Sequence, residues 1–335
     1  MISFIEIENK FKTEVILCNV GASIYDIKTK DNKNNIESIL YTTKNKNDFP
    51  YDGSYFGKTI GRTGGRVSNS KFILNGIDYK ILSDDPNGLH GGKEGLSFKE
   101  FDFKKTETDE YIEVLFYYES KDLESGYPGN LSLKVIYRLF KNVNKLTITY
   151  EGLSDKDTLL NLSNHSYFNL SGNAKNNILG HELFINASNM EKIEKLIPVK
   201  IEKCSDIYSF KSMHKIGDYL MNKEIIDNTN GYDFPYIFDN ASINLSNIIL
   251  KDNESKRVLK IKTTYPVVVV YTCNYVGNEI MNNNEIAKPY YAVCLECQYH
   301  PNGINSDFIK DKKDILKKGS LYNETIEYYF EVTND

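Results

Sequence analysis

Two segments of this chain hold residue types able to move protons. The first runs from Asn161 to Leu170 and sets three Asn, two Ser, one His and one Tyr among apolar residues. A buried amide or hydroxyl without a hydrogen-bond partner costs roughly 1–3 kcal/mol, and a hydroxyl-covered ligand is one source of partners. His165 lies in this cluster and is one of five His in the chain, which makes it the first candidate for proton transfer near neutral pH. The second segment is Ala292 to Gln298. With a strand's period of two, Ala292, Cys294, Glu296 and Gln298 share one face, and Val293, Leu295 and Cys297 the other. Glu296 then sits in an otherwise apolar strand, where burial raises a carboxyl's pKa and makes it a usable base near neutrality. The plainer alternative is an edge-strand Glu facing water or a Lys. Cys294 and Cys297 stand three apart, so on a strand their sulfurs diverge; with no second such pair, neither metal nor dithiol chemistry is expected.

Three loops carry further candidates. Gly61-Arg62-Thr63-Gly64-Gly65-Arg66-Val67 holds two of the four Arg in the chain. Glycines let backbone approach closely, and Arg offers a rigid fork of donors to oxygen-rich ligands. The spacing and ending of a phosphate loop are missing, and a solvated turn is the alternative. His90, in Leu89-His90-Gly91-Gly92, is sterically open on a loop and reads either as a surface His or as a site residue. Asp233, in Asn230-Gly231-Tyr232-Asp233-Phe234-Pro235, reads as a turn cap or a ligand-binding carboxylate.

These side chains need a scaffold, and the pattern is strand after strand. Runs at 14–18, 36–42, 111–119, 131–140, 145–151, 158–163, 181–187, 257–264, 267–274, 290–298 and 325–332 carry the β-branched and aromatic enrichment of strands between polar turns. Residues 211–226 suit one or two helical turns. No repeat, linker or composition break is visible. The expectation is an all-β fold, a large sandwich or barrel, with residues 1–335 forming a single domain. The net charge of −5 argues against a nucleic-acid partner. No apolar run approaches the roughly 18 residues of a spanning helix, so no membrane partner is expected. The N-terminus does not read as a secretory signal. Five Cys, an odd number, suit a reducing compartment and a cytoplasmic location.

In this order along the chain, several of these segments resemble the aldose 1-epimerases, or galactose mutarotases. The matching pieces are Gly61-Arg62…Arg66-Val67, Leu89-His90-Gly91-Gly92, Gly126-Tyr127-Pro128-Gly129-Asn130-Leu131, Asn164-His165-Ser166-Tyr167-Phe168-Asn169-Leu170, Gly231-Tyr232-Asp233, Tyr271-Thr272-X-Asn274 and Leu295-Glu296-Cys297-Gln298. The resemblance implies an antiparallel β-supersandwich with the site in a cleft on one sheet. It implies interconversion of the α and β anomers of a free aldohexose, galactose or glucose, by ring opening and reclosure. Glu296 would be the base at the C1 hydroxyl and His165 the acid at the ring oxygen. Arg66, His90 and Asp233 would bind sugar hydroxyls. No cofactor and no metal is implied, and the partner is a small aldose, bound by a monomer or homodimer.

The chain departs from common family patterns at three positions. Gly65, Val269 and Phe234 stand where many members have Asn, Gln and His, and the chain has no Trp. Those losses point to fewer hydrogen bonds near the sugar, with Phe98, Tyr167 or Tyr271 as candidates for an aromatic wall. The alternatives are a hexose 6-phosphate 1-epimerase using Arg62 and Arg66 for the phosphate, a non-catalytic carbohydrate-binding module on the same fold, and a glycosidase pairing Glu296 with Asp233.

Overall fold

The computed structural model describes residues 1–333. Its two largest sheets are antiparallel throughout. One has nine strands in the order His214–Lys215, Glu182–Ile185, Ile248–Lys251, Arg257–Thr263, Leu321–Val332, Lys145–Ser154, Leu131–Phe140, Tyr111–Ser120 and Asp102–Glu107. The other has six: Tyr167–Phe168, Val293–Gln298, Val267–Tyr271, Asp233–Phe238, Ala187–Glu194 and Ile197–Lys203. A common core joins them, with Phe116, Val135, Ile148 and Tyr328 from the first sheet against Val268, Val270, Val293 and Leu295 from the second. Phe168 meets Tyr328 edge to face, with centroids 5.4 Å apart. The expected all-β sandwich is therefore the fold.

Register decides which side chains leave that core. In an antiparallel pair, directly opposite residues share a face. Glu296 is opposite Val269, which is opposite Pro235. One pleat along, Tyr167, Cys294, Tyr271 and Asp233 form a second row across four strands. Their chain neighbours Phe168, Leu295, Val270 and Phe234 all lie in the core. A second buried cluster, including Tyr25, Phe49, Phe56, Tyr167 and Cys294, covers part of the outer face. Tyr25 comes from Ser23–Lys30 in an N-terminal four-stranded sheet.

Long alternating runs match the expectation closely: 131–140 is the strand Leu131–Phe140, and 111–119 is Tyr111–Ser120. Other strands are shorter than expected. The 36–42 run pairs as a strand only over Ile36–Ser38, the 158–163 run splits into Thr158–Leu159 and Ser163–Asn164, and 267–274 ends at Tyr271 because Cys273 turns to φ 54°. Asp233–Phe238 is a strand and not only a turn. Its proline disguised it, but Pro235 lies outside the ladder to Ala187–Glu194, which uses Tyr236, Ile237 and Phe238. The helical turns at 211–226 are Gly217–Leu220 and Lys223–Thr229, the latter capped by the Asn222 side chain.

Arg62 is one of the fold's fasteners. It is 2 % exposed, and its fork donates to the Ser120 hydroxyl and to the carbonyls of Ser120, Lys121, Pro128 and Gly129. These bonds tie the glycine-rich loop to the Tyr127-Pro128-Gly129 turn. Replacing it leaves several carbonyls buried without donors. Arg62→Met is expected to lose at least ~3 kcal/mol of stability, read as a lower urea midpoint. Arg66→Met, whose ion pair with Asp85 is partly exposed, should lose less than ~1 kcal/mol. Equal midpoints for the two variants would contradict this division.

Candidate active site

The polar segment around His165 is fastened largely to backbone. His165 N–H donates to the Lys58 carbonyl and its own carbonyl accepts from Gly57 N–H, both at 2.9 Å. Asn164 donates to the Gly57 carbonyl and accepts from Ser166. Asn161 exchanges two bonds with the Tyr299 backbone, directly after the Glu296 strand. The amides of Asn161 and Asn164 thus find their partners within the protein, and a sugar is not needed as their source. The loop that holds His165 is itself pinned by a fully buried Lys58–Asp52 ion pair at 3.0 Å.

His90 reaches the same place from a tight loop. It sits at φ 48°, followed by Gly91 at φ 86°. A Cβ on Gly91 would stand 1.8 Å from the Gly61 carbonyl oxygen, so only glycine lets this loop close on the Arg62 loop. Gly65 N–H donates to His90 Nδ1 at 3.2 Å, which leaves the proton of a neutral ring on Nε2. Asp233 is aimed by a clamp. Thr272 accepts from Tyr232 N–H, donates to Asn274, and Asn274 donates to the Thr229 and Tyr232 carbonyls. The Thr272-X-Asn274 motif therefore fixes the turn that launches the Asp233 strand.

These elements converge on a cleft of about 360 Å³ lined by Arg66, His90, His165, Asp233 and Glu296. All five sequence candidates meet there. His165 Nε2 lies 3.3 Å from Glu296 Oε1. The His90 and His165 rings stand 5.2 Å apart and nearly perpendicular. His90, His165 and Glu296 each offer an atom within 4.8 Å of the others, the grouping among the described residues that could ligate a metal. Two side chains were not expected. Tyr55, at φ 60°, lays its ring 4.8 Å from His90 and 6.1 Å from His165. Nothing in its local sequence signals this. Cys294 Sγ lies 3.6 Å from His165 Nδ1, a neighbour readable from its place two residues before Glu296. Tyr167 and Tyr271 also line the cleft, whereas Phe98 reaches it only by packing on Tyr55. Arg62 is absent from the lining, its donors spent on backbone, so the phosphate reading loses one of its two Arg.

Burial sets the protonation of this group. It pushes Glu296 well above the usual carboxyl range, reinforced by Asp233 and opposed by Arg66. It raises Asp233 to about 6, again opposed by Arg66. It lowers His165 to about 4, and lowers His90 further with the help of His165 and Arg66. Water exclusion thus disfavours charge on every member, while Arg66 favours the two carboxylates.

Comparison with known proteins places the fold. The family model described as aldose 1-epimerase matches residues 3–329. The chain belongs to the aldose 1-epimerase family. Among curated relatives, the galactose mutarotase of Sus scrofa is 29% identical over 319 residues, covering 93% of this chain and 89% of the relative. The aldose 1-epimerase of Haemophilus influenzae is 29% identical over 338 residues, covering 97% and 95%. Among solved structures, an aldose epimerase homologue from C. elegans superposes with a TM-score of 0.90 at 25% identity over all of both chains. The galactose 1-epimerase of Lactobacillus acidophilus gives 0.87 at 26% identity, covering 99% of this chain and 95% of that one.

The three departures from common aldose 1-epimerase patterns fall in different places. Gly65 has φ +69°, and a Cβ there would stand 2.9 Å from Pro301 Cβ, so this loop packs against Pro301 more closely than an Asn would allow and presents no amide. Val269 lines the cleft beside Glu296. Phe234 does not line it: its position faces the core, where the ring packs 4.9 Å from Tyr208. The expectation that Phe234 removes a sugar contact is corrected by strand alternation.

The lowered His165 is measurable. Its ring nitrogens, followed by ¹⁵N NMR, should stay neutral through pH 5 and titrate near pH 4, against about 6.5 for a free imidazole. A midpoint at or above 6.5 would show that burial does not govern this ring.

Proposed function

We propose that this cleft interconverts the α and β anomers of a free aldohexose, with galactose and glucose as the first substrates to test. The observation that carries the reading is the buried 3.3 Å contact of Glu296 Oε1 with His165 Nε2 in a cleft of sugar size. Glu296 takes the proton from the C1 hydroxyl while His165 gives one to the ring oxygen. The bond between C1 and the ring oxygen breaks and the C1 carbonyl forms. Rotation about C1–C2 turns the aldehyde, and the same oxygen closes on its other face. His165 then recovers its proton from that oxygen, and Glu296 returns its own to O1. Arg66, His90 and Asp233 hold the remaining hydroxyls.

The pair needs one proton between its two members. Ring opening converts a carboxylate and imidazolium into a neutral carboxyl and imidazole. Burial favours that neutral state and Arg66 favours the carboxylate, which brings the two closer in energy. Cys294 supports the cycle. Burial pushes its thiol well above the usual range, so it stays uncharged, and its sulfur, 3.6 Å from His165 Nδ1, accepts the Nδ1–H that the ring keeps when Nε2 gives up its proton. That holds the neutral ring's proton on Nδ1 and leaves Nε2, which faces Glu296, free to take its proton back.

Polarimetry of freshly dissolved α-D-galactose and α-D-glucose tests the reading. Wild type should hasten relaxation to the unchanged final rotation. Glu296→Gln and His165→Asn should each lose roughly 10²–10⁴-fold in kcat while unfolding at the wild-type urea concentration. Near wild-type rates in both variants would refute the assignment.

The pH profile gives a second test. Activity needs the singly protonated pair, so kcat should fall on the acid side as His165 gains the extra proton near pH 4, and on the alkaline side as Glu296 loses its own, while kcat/KM should already fall near pH 6 as Asp233 is protonated and sugar binding weakens. An acid limb of kcat at 6.5 would contradict it. Cys294→Ala should cost roughly 2–10-fold in kcat, the worth of one hydrogen bond of about 0.5–1.5 kcal/mol. Cys294→Ser, which keeps an acceptor, should recover most of that loss. Identical behaviour of the two would remove Cys294 from the mechanism.

A further inference from the structure

Past Glu296 the cleft wall changes character. Val269 stands opposite Glu296 on the neighbouring strand, and Pro235 opposite Val269 on the next. Behind them lies a side cavity of about 40 Å³ with apolar walls from Ile193, Leu196, Pro198, Pro235, Val269 and Pro301. Arg66 and Asp233 line both this cavity and the cleft, so they stand where the two spaces meet. One water needs about 10–15 Å³ of such space, so the cavity accepts about three heavy atoms. Its walls offer water few hydrogen-bond partners. A hydroxyl on the sugar would leave it unfilled.

The junction has a definite chemistry. The Arg66 guanidinium supplies donors and the Asp233 carboxyl supplies an acceptor. The cavity beyond takes an apolar cap. One donor, one acceptor and a methyl are what an acetamido group presents: its carbonyl accepts from Arg66, its N–H donates to Asp233, and its methyl fills the space behind Val269.

Sheet order indicates the carbon. This step rests on the reading that His165 serves the ring oxygen and Glu296 serves O1. His165 lies just before the first strand of the six-stranded sheet, Glu296 is on the second, Val269 on the third and Asp233 on the fourth. Both proton-transfer groups act on oxygens bonded to C1. Going from His165 past Glu296 leads away from the ring oxygen, towards C2. We propose that this cleft accepts 2-acetamido-2-deoxyaldohexoses as substrates, with the acetamido group in the side cavity.

The test compares anomer exchange of glucose, 2-deoxyglucose and N-acetylglucosamine by NMR and polarimetry, with wild type and Ile193→Phe. Ile193 lines the side cavity but not the cleft, and a larger ring there occupies the proposed acetamido space. The expected result is a wild-type kcat/KM for N-acetylglucosamine within tenfold of glucose or above it. Ile193→Phe should lower that value at least tenfold and leave glucose within twofold, glucose turnover also reporting that the variant is folded. A wild-type kcat/KM for N-acetylglucosamine more than tenfold below glucose overturns the inference while leaving the epimerase reading intact, whatever 2-deoxyglucose does. An Ile193→Phe enzyme that turns over both sugars normally overturns the cavity's role. Should that variant fail to fold, Pro198→Leu, which adds bulk to the same cavity from the residue paired with Ile193 and likewise does not line the cleft, supplies the same comparison. Failure to accelerate any of the three sugars, or galactose, removes the epimerase reading and this inference with it.

Discussion

The arrangement depends on one constraint, the antiparallel register of four strands from Tyr167–Phe168 to Asp233–Phe238. Alternation sends Leu295, Val270 and Phe234 into the apolar core and leaves Glu296, Val269, Tyr271 and Asp233 on the opposite face. The same alternation separates Cys294 from Cys297, which lie in different buried clusters. Val267–Tyr271 is almost entirely valine because both its faces are largely covered, by core on one side and by the cleft and its surroundings on the other. A one-residue slip would bury Glu296 in the core and expose leucine to the cleft. Each valine or leucine so displaced forfeits roughly 1.5–3 kcal/mol of burial, so the core's own stability enforces the site's geometry.

Strands alone do not build the cleft. His90, Arg66 and the stretch around His165 arrive on loops, and each loop is held by side chains bonding to backbone. Arg62 gathers the carbonyls of two turns, Asn161 and Asn164 staple the His165 segment, and Thr272 with Asn274 fixes the turn before Asp233. This explains why polar residues cluster beside the proposed catalytic ones without needing a ligand's hydroxyls as partners. Loop backbone cannot satisfy itself as a ladder does, and unpaired buried carbonyls are costly. The amides and the guanidinium supply donors that the loops lack.

That division also marks what could be read from the sequence. Leu131–Phe140 and Tyr111–Ser120 were legible because their alternation runs ten residues each. The placement of Glu296 followed from period-two counting alone. The motifs around His90, His165 and Asp233 announced unusual local chemistry, but not its direction. Asn161 reads the same whether it bonds a sugar or the Tyr299 backbone, and Arg62 reads the same as Arg66. Their difference is made by which distant carbonyls the fold brings within reach. Tyr55 was hidden for a related reason: its approach to both imidazoles depends on a positive φ and a loop pinned by Asp52 and Lys58, neither of which has a local signature. Phe234 misled in the opposite sense, since adjacency to Asp233 in the chain means the opposite face of a strand.

The cost of the site argues for its use. Glu296, His165 and His90 are 3 %, 4 % and 7 % exposed, and Asp233 lies close enough to raise Glu296 further. A fold selected for stability alone would gain by replacing such groups with apolar residues of similar size. Their common effect is to bring a carboxyl and an imidazole towards neutrality while leaving them in contact, so that one proton is held between two positions. Ring opening and closing of a sugar moves one proton off one oxygen and another onto its neighbour, and asks for nothing covalent. A pair that can exchange its single proton in either direction suits a reaction whose forward and reverse steps are chemically alike. Arg66 keeps that balance from tipping wholly to the neutral side, because its charge lies near Glu296, Asp233 and His90 together. Its exposure relative to Arg62 then has a physical reason: the guanidinium that tunes the cleft must face it, and the one that holds the loops must not.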